Sequence, residues 1–152
     1  MSRRQTGFAL AVAIAAFGVA VGAGAQTAGA PSHVVKGLSM TARAIARAKI
    51  VSLRDCPPGE NTQRGVIRPA EDSEFVTITV DIKVPPGYRP VPIGRPVLQD
   101  AAGNTYGTGQ SFVNVAAAPA STCDFSFRVP AGTAAARLVI DGVSLDLTRI
   151  GK

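Results

Sequence analysis

The chain of 152 residues has no tryptophan, one histidine, two cysteines and two tyrosines. Each shortage excludes a class of chemistry. A single imidazole, His33, cannot build a blue-copper or copper–zinc centre, which needs several. Met40 alone makes no copper-binding box. A nucleophile–histidine triad would have to use His33, which lies near the N-terminus in a stretch expected to be mobile. No Gly-rich phosphate loop, Walker motif or Cys-x-x-Cys pair occurs. Aromatic residues make up 5% of the chain, a poor platform for stacked bases, so nucleic acid is not an expected partner.

What is present begins with an address. Ser2-Arg3-Arg4 is a basic start, residues 8–21 carry no charge, and Ala23-Gly24-Ala25 precedes Gln26. This is a secretory signal peptide with cleavage after Ala25. The apolar run falls short of the ~20 residues a spanning helix needs, so no transmembrane anchor is expected after cleavage. The Arg3-Arg4 pair fits general or twin-arginine export. The expected location is periplasmic or secreted. Cleavage leaves 127 residues, enough for one domain. Loss of Arg3 and Arg4 lowers the net charge from +6 to +4. The excess lies early, in Lys36, Arg43, Arg47, Lys49, Arg54, Arg64 and Arg68. A solvated basic surface explains it, as does residence near acidic envelope polymers.

The strongest local pattern is Phe75 to Val84. Val76, Ile78, Val80, Ile82 and Val84 fall on one face of a strand, and Phe75, Thr77, Thr79, Asp81 and Lys83 on the other. Such a strand needs a second sheet over its apolar face, which predicts a β-sandwich. Cys123, Phe125, Phe127 and Val129 alternate in the same way. Asp100-Ala101-Ala102-Gly103-Asn104 reads as a hairpin turn between strands at 95–99 and 105–107. Residues 111–115 read as a further short strand, and so do residues 65–68. At Asp141-Gly142 a two-residue turn would set Ile140 opposite Val143 and Leu138 opposite Leu145, and a bulge would also keep the face. The hairpin is the expectation. Residues 44–53 satisfy helix and strand patterns alike, and strand is expected. His33 to Leu38 reads as a short strand stopped by Gly37. The proline-rich stretch 85–92 must cross between sheets, because it cannot sit inside one. The expected organisation is a signal peptide at 1–25, a flexible leader at 26–40 and an all-β sandwich at 41–152.

In an oxidising compartment the even cysteine count predicts a disulfide, and Cys56–Cys123 is the one pairing within the chain.

The order VIRPAEDSEFVTITVDIKV, a proline-bearing crossover, PVLQDAAGNTYGTG, CDFSFRVPAG and ARLVIDGVSL resembles a group of bacterial exported immunoglobulin-like domains of unassigned function. The resemblance covers residues 66–147. It implies an immunoglobulin-like β-sandwich and assigns no catalytic or ligand residue.

Glu71, Asp72 and Glu74 form the densest acidic cluster, and a solvated turn before a strand accounts for them. Asp100 and Asn104 offer oxygens for calcium, yet no EF-hand spacing surrounds them. Tyr88 and Arg89 on the crossover and Tyr106 on the hairpin are candidate partner contacts; both tyrosines equally suit packing over the sandwich ends. The expectation is a non-catalytic extracytoplasmic binding or accessory module without a cofactor or metal. Its partner would be a protein or an envelope component. A small exported enzyme inhibitor and a structural envelope protein are the alternatives.

Overall fold

The computed structural model describes residues 30–59 and 62–150. The expected signal peptide and its cleavage site lie outside them. Ten strands form: β1 His33–Val35, β2 Leu38–Ala48, β3 Val51–Arg54, β4 Gln63–Ile67, β5 Ser73–Lys83, β6 Val97–Asp100, β7 Thr105–Gly107, β8 Ala120–Pro130, β9 Ala135–Ile140 and β10 Val143–Asp146. One antiparallel sheet has the order β1-β2-β5-β8 and a second has β10-β9-β6-β7. Strands β3 and β4 form a separate two-stranded sheet.

The central strand behaves as its alternation demands. Val76, Ile78, Val80 and Ile82 are fully buried in a core shared with Phe125 and Phe127 of β8 and Leu98, Leu138 and Leu145 of the second sheet. Each such side chain contributes ~1.5–3 kcal/mol by leaving water. The other face of the sheet is a polar ladder. Thr77 meets Ser126 at 2.9 Å, Thr79 donates to Asp124 at 2.7 Å, and Thr122 donates to Asp81 at 2.8 Å. Strands β1 and β10 meet at one seam of the two sheets, and β7 and β8 at the other.

Both hairpins form as expected. Asp141 and Gly142 take φ of 47° and 80°, the left-handed pair that a two-residue turn requires, and Ile140 faces Val143 while Leu138 faces Leu145. Gln99 faces Thr105 across the other turn. The crossover carries the chain from β5 in one sheet to β6 in the other.

Four local expectations differ from what forms. The single strand expected at 44–53 is two. β2 starts at Leu38, ends at Ala48, and β3 leaves at Val51 for the separate sheet. Arg43 is an extra residue between Ala42, opposite Val80, and Ala44, opposite Thr79. This bulge shifts the phase and turns Ile45 to the core, so the alanine alternation never sets one face. The leader is shorter than expected. Residues 33–40 form β1 and the start of β2, where Val35, Leu38 and Met40 are fully buried. The strand expected at 111–115 is a lone parallel bridge, Cys56 to Phe112, followed by a 3-10 turn at Val115–Ala117. Phe75, expected on the wet face, is 2% exposed because Val51 and Leu53 of β3 cover it.

Candidate functional site: the β3–β4 lobe

The β3–β4 pair is a lobe standing outside the two large sheets, and an unusual number of contacts holds it. Cys56, in the connection between β3 and β4, is bonded to Cys123 of β8 with sulfurs 2.03 Å apart. The expected disulfide is therefore present, and it fastens the lobe to a sheet. Next to it Cys56 N–H donates to Ser111 C=O, and Val113 N–H donates to Cys56 C=O. Val51 and Leu53 rest on Phe75.

Polar groups complete the attachment. Asp55 is 5% exposed. Arg64 Nε donates to its Oδ2 at 2.7 Å, and Ser111 N–H donates to its Oδ1 at 2.8 Å. Burial pushes the Asp55 carboxyl up, but these hydrogen bonds and the charges of Arg64 and Arg95 outweigh it and hold the pKa below the ordinary value. Gln110, 1% exposed, stitches lobe to sheet. Its Nε2 donates to the carbonyls of Arg54 on β3 and Asp124 on β8, and its Oε1 accepts from Ser126 N–H. Toward Asp124 and Ser126 the side-chain amide takes the place of a parallel strand residue and closes part of the β8 edge.

The lobe's outer surface is different. Every residue of β4 is exposed apart from the intermediate Gly65. Val66 is 62% exposed, Ile50 50% and Ile67 39%, three of the five large exposed apolar side chains among the described residues. Lys49 and Arg68 stand beside Ile50, and Arg54 and Arg64 lie on the same strand pair. Arg54 and Arg68 make no ion pair with any described residue. A shallow cleft of about 370 Å³ at the open end is lined by Lys49, Ile50, Arg68, Pro69, Ala70 and Glu71.

The residues singled out from the sequence do not converge. Tyr106 is half-buried against the core, and its hydroxyl donates to Asp100 at 3.0 Å. Burial, then the Asp100 carboxylate, raises its pKa. Tyr88 also packs on the core, and its ring lies 3.4 Å from where a Cβ on Gly37 would stand. Both tyrosines thus close the sandwich ends, and Arg89 alone of the three is exposed. Asp100 is saturated. Besides Tyr106 it accepts from the side chain of Asn104 at 2.9 Å and from the N–H groups of Ala102 and Asn104. The Asn104 side chain leads the causes that lower its pKa. It is a turn-holding carboxylate with no lone pair left for calcium. Among the described residues no group of three or more His, Cys, Asp or Glu side chains is placed to hold a metal ion. His33 is half-buried in β1 opposite Met40, not frayed.

No family model, curated protein or solved structure matches the chain.

A polar groove of about 660 Å³ runs over the outer face of the second sheet, lined by Gln99, Arg137, Ser144, Asp146 and Thr148 among others. Asp146 there accepts from the hydroxyl and N–H of Thr148, which lead in lowering its pKa. Glu74 is likewise lowered, first by Gly132 N–H, and pairs with Arg47. Among the described residues Asp55, Glu74, Asp100 and Asp146 all shift down, as in structural pairs and turns. No helix among the described residues is long and apolar enough to cross a membrane.

Sequence reading did not single out the lobe's exposed apolar residues. Val66-Ile67 beside Arg64 and Arg68 was the available signal: apolar neighbours at consecutive positions of a strand cannot both face inward. Gln110 carried no signal.

Proposed function

We propose that the protein is an exported, non-catalytic binding module that contacts its partner through the β3–β4 lobe. The observation that carries this reading is the lobe's two-sided construction. A short strand pair is marginal in water on its own. This one is fastened by a disulfide, a buried carboxylate and a buried amide, yet exposes Ile50, Val66 and Ile67. Rigid placement of an exposed apolar strand lowers the ordering cost of binding.

The fold reading that accompanies it is immunoglobulin-like. The order β2-β5-β8 suits strands A-B-E of that sandwich, and β10-β9-β6-β7 suits G-F-C-C′. On this assignment the lobe is an insertion between the first two strands, and β1 is an addition at the N-terminus. An insertion that the sandwich does not need for its own closure is free to serve recognition.

Two measurements test the proposal. Intact mass of the exported protein should begin at Gln26; a species retaining Met1 would contradict export with cleavage. Immobilised protein should capture an envelope component that a Val66→Asp, Arg68→Glu variant loses. A Thr105→Asp variant, altered on the other sheet, should keep it. Equal capture by all three would overturn the lobe assignment.

A further inference from the structure

We infer that β4 is an acceptor edge for an extended acidic segment of a partner protein, which adds to the β3–β4 sheet as a third strand. This rests on the lobe being the contact surface and names what it takes.

The first argument is the state of the edges. Unpaired strand edges invite pairing, and proteins blunt them with bulges, charges or cover. The free side of β2 carries the bulge at Arg43. The β8 edge is filled beside Asp124 and Ser126 by the Gln110 amide. β3 turns its Arg54 carbonyl to the same amide. β4 has β3 as its one neighbour. Its irregularity, the extra Arg64 between Gln63 and Gly65, lies at the end nearest the disulfide, and the register is regular from Gly65 to Ile67.

The second argument is chemistry along that edge. Ser52 faces Val66 across the ladder. Strand period two sets Arg54 on the side of Ser52 and Arg68 on the side of Val66. Val66, exposed and apolar, therefore shares a face with Arg54 and Arg68, neither of which forms an ion pair with a described residue. At the end of the strand the cleft beside Ile50, Pro69 and Ala70 has room for an apolar side chain. The complementary strand alternates carboxylates with apolar residues. Main-chain pairing supplies the affinity, and side-chain pockets supply the choice of sequence. A lipid surface fits less well, since the patch has no aromatic anchor.

The test uses the isotope-labelled exported protein and three probes: a blocked peptide of alternating Glu and Val, the same peptide with Lys for Glu, and phosphatidylglycerol vesicles. The Glu–Val peptide should shift the amides of residues 65–68 and slow their hydrogen exchange. Arg68→Glu should weaken its binding at least about tenfold at unchanged melting temperature, and the Lys–Val peptide should not bind. No binding of the Glu–Val peptide, shifts confined to another surface, binding indifferent to Arg68→Glu, or vesicles alone moving these amides would each overturn the inference. If the acidic peptide fails while the lobe variant still loses its captured envelope component, the acidic strand falls and the contact lobe stands.

Discussion

Replacing Gln110 with leucine should cost far more than a loop residue ordinarily does. The substitution keeps the volume and removes an amide that serves three backbone groups: the carbonyls of Arg54 and Asp124 and the N–H of Ser126. Leaving a buried polar group unpaired costs ~1–3 kcal/mol. The two carbonyls sit at strand edges, where water can partly reach them, and take the low figure. Ser126 is 5% exposed, so its N–H takes the high one. The sum is about 5 kcal/mol, a large part of the ~5–15 kcal/mol that holds a domain together. With a urea slope of ~2 kcal/mol per molar, the unfolding midpoint should fall by roughly 2.5 M. Gln110→Glu gives a sharper version. A carboxylate accepts from Ser126 but repels both carbonyls, so its folded-state pKa should be raised. The folded state then binds the extra proton, and this variant's deficit against the parent should shrink as pH falls from 7 toward 5. A loss below about 1 kcal/mol for Gln110→Leu, against the scale of an unsatisfied buried group, would refute the bridging role. A deficit for Gln110→Glu that does not change with pH would refute the carbonyl contacts.

Further outcomes follow from the same contacts. Ile78→Ala should cost ~2–5 kcal/mol and Thr77→Ala much less; similar urea midpoints would contradict the phase of β5. Non-reduced digests should contain a linked Cys56–Cys123 peptide pair. Closing a loop of 67 residues corresponds to about 4 kcal/mol of loop-closure entropy as an upper figure. Reduction should lower the melting temperature, and an unchanged one would contradict the bond's role in holding the lobe. Asp55, held below its ordinary pKa of 3.8, contributes stability that is whole above that value and is lost as pH falls through the folded-state pKa. Asp55→Asn should therefore destabilise the protein near neutral pH and flatten its acid unfolding curve below about pH 4; an acid limb identical to that of the parent would contradict the assignment.

The large sheets were legible because their strands alternate without interruption. Val76 to Ile82 and Cys123 to Val129 could take one phase each, and Asp141-Gly142 has the residues a tight turn requires. Legibility stopped where one residue changes the phase. In TARAIARA every second position is alanine, so nothing in the pattern marks Arg43 as the bulge, and the strand is displaced toward the N-terminus as a result. The burial of Phe75 depends on a lobe whose pairing is non-local. The lobe's exposed apolar surface was hidden for a related reason. Tyr88 and Tyr106 are chemically suited to interfaces, and their use as end caps follows from Gly37 and Asp100 lying under them in space. The lobe's exposed Val66 and Ile67 look in sequence like core residues of one more strand.

The contact role of the lobe is tested most directly in living cells by a photo-crosslinking amino acid placed in turn at position 66 on β4 and at position 105 on β7. Irradiation should yield a discrete adduct from position 66 and none from position 105, and Arg68→Glu should diminish it. Adducts from position 105 alone, or from neither position in cells that export the protein, would contradict the account.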